Sequence, residues 1–202
     1  MTGIKLCGLS RESDIQVANE LKPQYIGFVF APKSKRYVTP EKAEELKQML
    51  ASDIKAVGVF VDEKPETVAD CLNNGIIDIA QLHGYESDDY ITQLRRHTKR
   101  PIMKAFRIKT ASDIADAEQS AADFVLLDSG AGTGAVFDWN LIRNIHRPYF
   151  LAGGLESGNV GAAIRALRPF AVDVSSGIET DGRKDETKMA AFVAAVRKED
   201  KR

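Results

Sequence analysis

The stretch from Tyr25 to Asp62, YIGFVFAPKSKRYVTPEKAEELKQMLASDIKAVGVFVD, carries one complete unit of strand, helix and strand. Its two ends are apolar runs rich in β-branched and aromatic residues, which favour buried strands. Between them, Thr39 and Pro40 indicate a helix start, because threonine caps free amides and proline suits the first helical position. The stretch therefore predicts two parallel strands joined by a helix.

The same unit recurs along the whole chain. Apolar runs return at intervals of roughly 20 to 30 residues, about the size of one strand–helix repeat, and polar segments with helical periodicity separate them. Strict alternation predicts a parallel sheet, and eight units in 202 residues favour a closed (β/α)8 barrel of the α/β class over an open doubly wound sheet. Since no linker or shift in composition divides the chain, we expect one domain over residues 1–202. The predicted strands begin near Ile4, Tyr25, Lys55, Ile79, Ile102, Phe124, Tyr149 and Ala171.

Residues alternate in character within these strands. In the last strand, AVDVSSG, Val172 and Val174 share one face, whereas Asp173 and Ser175 share the other. The first and fourth strands, IKLCG and IAQLHG, divide in the same way. We expect the aliphatic face to pack against the helices and the polar face to converge at the top of the barrel, where active sites of this fold lie.

Composition narrows the partners that the protein can have. The formal net charge of −1 offers no electrostatic footprint for nucleic acid or an anionic membrane. No apolar run approaches the roughly 20 residues that span a bilayer, and the first residues do not resemble a secretion signal. The two cysteines, Cys7 and Cys71, lack metal-type spacing and are interpreted as reduced thiols. We therefore expect a cytoplasmic protein with no nucleic-acid or membrane partner.

Two segments predict a phosphate site. LAGGLESGNV follows the seventh strand and DVSSGIETDG follows the eighth, where this fold usually binds phosphate. Glycines let backbone amides approach an anion, and serine hydroxyls can donate hydrogen bonds to it. The paired glycines could also serve only to turn the chain, but the presence of both loops favours the phosphate site. The candidate residues are Gly153, Gly154, Ser175, Ser176 and Gly177.

Six short motifs together resemble one known family. KLCGLSR, GFVFAPKSKRYV, QLHG, LLDSGAGTGAVFDW, LAGGL and VDVSSGIE, the last followed by Lys184 and Asp185, occur in the order found in phosphoribosylanthranilate isomerases. Each motif alone is weak, but six at the right strands are specific, and the similarity runs from Lys5 to about Lys188. Ala131 departs from the glycine that is common at its place, which does not affect a reacting group.

The resemblance implies an activity and a pair of catalytic residues. Family members perform the Amadori rearrangement of N-(5-phosphoribosyl)anthranilate to 1-(2-carboxyphenylamino)-1-deoxyribulose 5-phosphate in tryptophan biosynthesis, without cofactor or metal. By the same resemblance, Cys7 matches the general base and Asp128 the general acid. These roles need pKa values moved toward the working pH, and Lys5, on the same face as Cys7, is a candidate for lowering that of the thiol. Without the resemblance, Cys7 is more simply a small buried residue, and Asp128 could equally cap the following turn.

The resemblance also implies substrate contacts. Arg36 matches a residue that clamps the anthranilate carboxylate, a task that suits the two-pronged guanidinium. His83 and Asp173 match residues that line the substrate pocket, although His83 could equally fill the barrel. The glycine-rich run at 130–134 is too short for a dinucleotide fingerprint, so we expect a lid or a phosphate-contacting loop and no nucleotide.

Other phosphosugar barrels and one non-enzyme are the alternatives to this assignment. Indole-glycerol-phosphate synthase needs a longer chain and a lysine–glutamate set, the bifunctional histidine/tryptophan isomerases place aspartate where this chain has Cys7, and ribulose-phosphate epimerase needs a metal site. An inactive phosphosugar-binding barrel, acting as a sensor or partner subunit, is the alternative from another class. The joint presence of Cys7, Asp128 and Arg36 favours the enzyme. The expected partner is a small phosphosugar substrate, and the assembly is a monomer or a homodimer.

Overall fold

The computed structural model describes residues 1–128, 139–142 and 145–201. Eight parallel strands close into a barrel in sequence order, since β8 pairs back onto β1 through Gly3 and Ala171. The predicted (β/α)8 barrel is therefore confirmed. The strands are β1 (Gly3–Cys7), β2 (Tyr25–Val29), β3 (Lys55–Phe60), β4 (Ile79–Leu82), β5 (Ile102–Arg107), β6 (Phe124–Asp128), β7 (Tyr149–Ala152) and β8 (Ala171–Val174).

Helices follow the strands around the outside of the barrel. The predicted start of the second helix is confirmed, because the backbone N–H of Lys42 donates to Thr39 Oγ1 at 3.2 Å and Pro40 is the first helical residue. The helices are α1 (Glu12–Leu21), α2 (Pro40–Gln48), α3 (Pro65–Asn73), α4 (Asp88–His97), α5 (Ala111–Gln119), α6 (Trp139–Ile142), α7 (Val160–Leu167) and α8 (Glu186–Glu199).

One small element lies between β8 and α8. A 3-10 turn (Ser176–Ile178) leads into two short antiparallel strands, β9 (Glu179–Thr180) and β10 (Arg183–Lys184). The strand pattern of the sequence did not predict this hairpin, because two residues are too few to show an alternation. It lies next to the loops that were predicted to bind phosphate.

The predicted alternation within the strands is confirmed. Leu6 and Val172 are buried in the apolar layer between barrel and helices, and each such side chain contributes roughly 1.5–3 kcal/mol through its burial. A second apolar cluster fills the barrel interior around Phe150. The interior side chains nearer the carboxyl ends of the strands include Cys7, Lys5 and Asp173, so the polar face does converge at the top.

Candidate active site

A cavity of about 450 Å³ opens at the carboxyl ends of the strands. It brings together nine of the ten candidate residues from the sequence, and the tenth, Gly177, does not line it. Side chains that the sequence did not single out also line it, among them Gln81 at the end of β4 and Arg107 at the end of β5. The nine are Cys7, Arg36, His83, Asp128, Gly153, Gly154, Asp173, Ser175 and Ser176.

Cys7 lies in a crowded and charged part of the cavity. Only 7% of the residue is exposed, and a Cβ on Gly27 of the neighbouring strand would lie 2.6 Å from its Sγ, so glycine leaves room for the thiol. Nearby, the fully buried Lys5 donates from Nζ to Asp173 Oδ1 at 2.9 Å. Burial raises the pKa of the Cys7 thiol, and the cations of Lys5 and Lys184 lower it by less. The predicted influence of Lys5 has the expected sign, but the net pKa shift is upward because burial outweighs it.

Asp128 ends β6 and contacts His83. The His83 Nε2 and Asp128 Oδ2 atoms are 3.3 Å apart, and His83 Nδ1 is 2.9 Å from the amide Nε2 of Gln81. An amide nitrogen can only donate, so this orientation leaves the ring proton on Nε2, pointing at the carboxylate. Gln81 is almost fully buried and shares the interior face with His83, two residues on, so strand alternation could have identified it.

Arg36 follows β2 and is held by a carboxylate from the hairpin. Its Nε and Nη2 donate to the two oxygens of Glu179 at 2.6 and 2.8 Å. Lys184 Nζ donates to the same carboxylate at 2.6 Å. Burial raises the pKa of the Glu179 carboxyl, but hydrogen bonds and charge from Arg36 and Lys184 outweigh it and bring it to about 2. Glu179 is the last residue of the family motif VDVSSGIE, and Lys184 follows it shortly after. The motif was therefore the signal in the sequence that could have identified both residues.

The loops after β7 and β8 pack closely against each other. Gly153 and Gly154 have φ values of 97° and 59°, in the left-handed region that favours glycine. A Cβ on Gly177 would lie 2.0 Å from the carbonyl oxygen of Leu155, so glycine is needed for the two loops to approach. Gly177 therefore supports the cavity wall from behind, whereas Ser175 lines it.

The described ranges contain neither a cluster suited to a metal ion nor a helix suited to a membrane. Within them, no group of three or more histidine, cysteine, aspartate or glutamate side chains could hold a metal ion. Nor does any helix there combine the length and apolar character needed to cross a bilayer. The glycine-rich run at 130–134, predicted to act as a lid or phosphate-contacting loop, lies outside the described residues.

The barrel and its cavity together define a class, the (β/α)8-barrel enzymes that act at the carboxyl ends of their strands. Within that class, residues 4–195 match the family described as N-(5'phosphoribosyl)anthranilate (PRA) isomerase. The chain belongs to this family and is an isomerase of tryptophan biosynthesis. The predicted resemblance, fold and activity are confirmed, and the inactive sensor finds no support.

Relatives match the chain over nearly its full length. An N-(5'-phosphoribosyl)anthranilate isomerase of Thermoanaerobacter sp. is 43% identical, with 98% of each chain covered. A structure of monomers of the dimeric Thermotoga maritima enzyme is 36% identical, with a TM-score of 0.87, and 98% of this chain and 100% of that one are covered. Another solved phosphoribosyl anthranilate isomerase, in complex with reduced 1-(o-carboxyphenylamino)-1-deoxyribulose 5-phosphate, is 35% identical, with a TM-score of 0.86 and the same coverage.

Proposed function

We propose that Asp128 is the general acid and Cys7 the general base of the isomerisation. The observation that carries the proposal is that the two side chains, from β6 and β1, line one cavity together with the phosphate-loop candidates. Proton transfer by a positioned side chain contributes typically about 10²- to 10⁴-fold to a rate. The two groups suit a reaction that moves protons between carbon and oxygen.

The proposed reaction proceeds in two stages. In the first, protonated Asp128 gives a proton to the ring oxygen of the furanose while the C1–O bond breaks and the nitrogen lone pair forms a C1=N bond. In the second, the Cys7 thiolate removes the proton from C2 of this protonated Schiff base. The electron pair of the C–H bond forms the C1=C2 bond, and the π pair of the C1=N bond moves onto nitrogen to give a neutral enolamine. Transfer of the enol proton to C1 then yields the ketose without a further catalytic group.

The protonation state of the thiol and the orientation of the acid follow from their surroundings. Burial keeps the Cys7 thiol mostly protonated in the free protein, so the base acts through a minor thiolate fraction that Lys5 and Lys184 help to stabilise. His83, in contact with Asp128 Oδ2, orients the acid toward the cavity. Asp173 pairs with Lys5 and thereby contributes to the cavity wall and to the charge balance near the thiol.

The substrate carries two anionic groups, and the cavity offers a candidate site for each. We assign the anthranilate carboxylate to Arg36, because a guanidinium pairs with both oxygens of a carboxylate. The phosphate is assigned to the loops of Gly153, Gly154, Ser175 and Ser176. The glycines have no side chains to keep an anion away from backbone amides, and the serine hydroxyls can donate hydrogen bonds to it. A solved relative was obtained in complex with reduced 1-(o-carboxyphenylamino)-1-deoxyribulose 5-phosphate, a compound that carries both of these anionic groups.

We also propose a domain organisation, a cellular location and an oligomeric state for the protein. We propose one domain over the whole chain, because the barrel closes between its first and last strands. The proposed location is the cytoplasm, where the substrate pathway and two free thiols belong. The proposed assembly is a monomer or homodimer, as the Thermotoga maritima enzyme is dimeric and has been obtained as monomers.

The activity is tested by following the loss of substrate fluorescence, with phosphoribosylanthranilate generated in situ. The wild-type protein is expected to consume the substrate without added metal or cofactor. A wild-type protein that binds the reduced product analogue but leaves the substrate unchanged would overturn the proposal in favour of the sensor.

A further inference from the structure

Glu179 makes more polar contacts than the reaction assigns to it. It lies in β9, its side chain is only 9% exposed, and its carboxylate accepts hydrogen bonds from both Arg36 and Lys184. A buried carboxylate without partners is costly, but here two cations compensate it. The question is what the fold gains by placing this carboxylate against Arg36.

The contact fixes the plane of the Arg36 guanidinium. Glu179 accepts one hydrogen bond from Nε and one from Nη2, which form one edge of a group that carries five N–H donors. Among the described residues, the Nη1 edge makes no hydrogen bond and remains available to a second carboxylate. Gly8 lets the stem lie close against the backbone that follows β1, because a Cβ there would lie 2.4 Å from Arg36 Cδ. The free edge is therefore presented in one orientation.

Glu179 is itself held from behind. Lys184, its partner in the hairpin register, donates from Nζ to the carboxylate at 2.6 Å and to the Ser175 carbonyl at 2.9 Å. Lys188 of α8 donates to the Glu179 carbonyl at 2.7 Å. Glu179 is thus held through its carboxylate by β10 and through its backbone carbonyl by α8. Lys184 also ties the hairpin to the residue that follows β8. The group of Arg36, Glu179 and Lys184 carries a net charge of +1, which matches one substrate carboxylate.

We propose that Glu179 is a positioning residue, which holds Arg36 ready to receive the carboxylate of the aromatic part of the substrate. The inference rests on the proposed function, in which Arg36 binds that carboxylate. Holding a flexible arginine in its binding orientation lowers the cost of ordering it when the ligand arrives. The contact is present in the ground state and the transition state alike, so it should act on KM more than on kcat.

The test is a double-mutant cycle of Glu179→Gln and Arg36→Met, with KM, kcat and competitive inhibition measured for each protein. Glu179→Gln is expected to raise KM about tenfold, a typical size for a charge-assisted hydrogen bond, and to leave kcat nearly unchanged. Inhibition by free anthranilate should weaken by a similar factor, whereas inhibition by ribose 5-phosphate should not. In the Arg36→Met background, Glu179→Gln should have no further effect on KM.

A matched control separates positioning from a general loss of stability. Glu86 is another buried carboxylate at this end of the barrel, paired with Lys104 at 2.8 Å and without contact to Arg36. Glu86→Gln is expected to lower the melting temperature without a change in inhibition by anthranilate. Equal weakening of anthranilate inhibition in both variants would overturn the positioning role.

The other possible results of the double-mutant cycle also test whether Glu179 acts through Arg36. Additive effects of Glu179→Gln and Arg36→Met on KM, or equal losses of anthranilate and ribose 5-phosphate inhibition, would show that Glu179 does not act through Arg36. If Arg36→Met raises KM but Glu179→Gln does not, only this inference is wrong. If Arg36→Met leaves KM unchanged, the assignment of the carboxylate to Arg36 is wrong, and the inference is overturned with it.

Discussion

The two ends of the barrel are built from the same strands but differ in chemistry. At the amino ends, the ring of Phe150 packs against those of Tyr25, Phe124 and Phe170, with centroids 5.2, 6.0 and 5.7 Å apart. At the carboxyl ends, ionisable groups such as Cys7 line the cavity. The apolar end serves stability, and the polar end serves the reaction.

The comparison shows what each end requires of its residues. An apolar plug needs only the right volume, because dispersion and burial are not directional. Buried charges need specific partners, and the top of the barrel provides them in pairs such as Lys5 with Asp173 and Lys184 with Glu179. Substitutions at the two ends should therefore separate activity from stability.

The largest effect is expected at the polar end, in kcat. Cys7→Ser and Asp128→Asn should each lower kcat by about 10²- to 10⁴-fold, because each removes one proton-transfer group. The melting temperature should change little, since both substitutions preserve size. Cys71→Ala is the matched control, because Cys71 is buried in the helical layer away from the cavity. Either catalytic variant with wild-type kcat would contradict the assigned role.

The next largest effect is expected at the apolar end, in stability. Phe150→Ala should lower the free energy of unfolding by about 3–5 kcal/mol, through lost burial and the cavity left behind. KM and kcat should stay unchanged at temperatures where the variant is folded. Denaturant unfolding with a parallel activity assay checks both. The control is Phe170→Ala, which should cost less because Phe170 is 45% exposed. Loss of kcat in folded Phe150→Ala protein would show that the two ends are coupled.

A smaller effect, on both stability and KM, is expected at Gly177. Gly177→Ala would place a Cβ 2.0 Å from the Leu155 carbonyl oxygen and force the loops after β7 and β8 apart. We expect a loss of about 1–3 kcal/mol, as for other overpacked sites, and a higher KM because the phosphate loops shift. Gly158→Ala, whose Cβ meets its nearest atom at 3.6 Å, should change neither quantity. Unaltered KM in Gly177→Ala would separate Gly177 from phosphate binding.

Features that depend on neighbouring residues could be predicted from the sequence, whereas contacts between distant residues could not. The barrel and its polar face followed from local periodicity, as in Tyr25–Asp62, because alternation is a short-range property. The roles of Cys7 and Asp128 came from the family resemblance, since residue type and spacing alone did not specify the reaction. The Arg36–Glu179 contact joins positions 143 residues apart, which no local pattern encodes.

The pKa of the Cys7 thiol is a property that could not be predicted without the three-dimensional structure. From the sequence, Lys5 lies on the same face as Cys7 and predicts a lowered pKa. Burial of the thiol depends on the whole barrel, and it outweighs the lysine, so the pKa of Cys7 is raised. The sequence could therefore predict that a cation lies near the thiol. It could not predict that burial would affect the pKa of the thiol more than that cation does.

The smallest predicted effect tests this balance through stability. Because the native pKa of Cys7 is raised, the unfolded thiol ionises first, from about pH 8.5. Above that pH the unfolded state binds fewer protons than the native state, so stability falls as pH rises, by at most about 1.4 kcal/mol per pH unit. The contribution is fully present below the unfolded pKa and is lost through the native pKa.

The measurement compares the free energies of unfolding of wild type and Cys7→Ser from pH 7 to pH 10. Cys71, whose pKa is raised to about 11, is present in both proteins, so its contribution cancels in the difference. Wild type should lose stability relative to Cys7→Ser as pH rises. If it gains stability instead, Lys5 and Lys184 outweigh burial and the thiolate is the favoured native form. Cys7 would then be mainly a thiolate in the native protein. The proposal that the reaction uses only a minor thiolate fraction would be wrong.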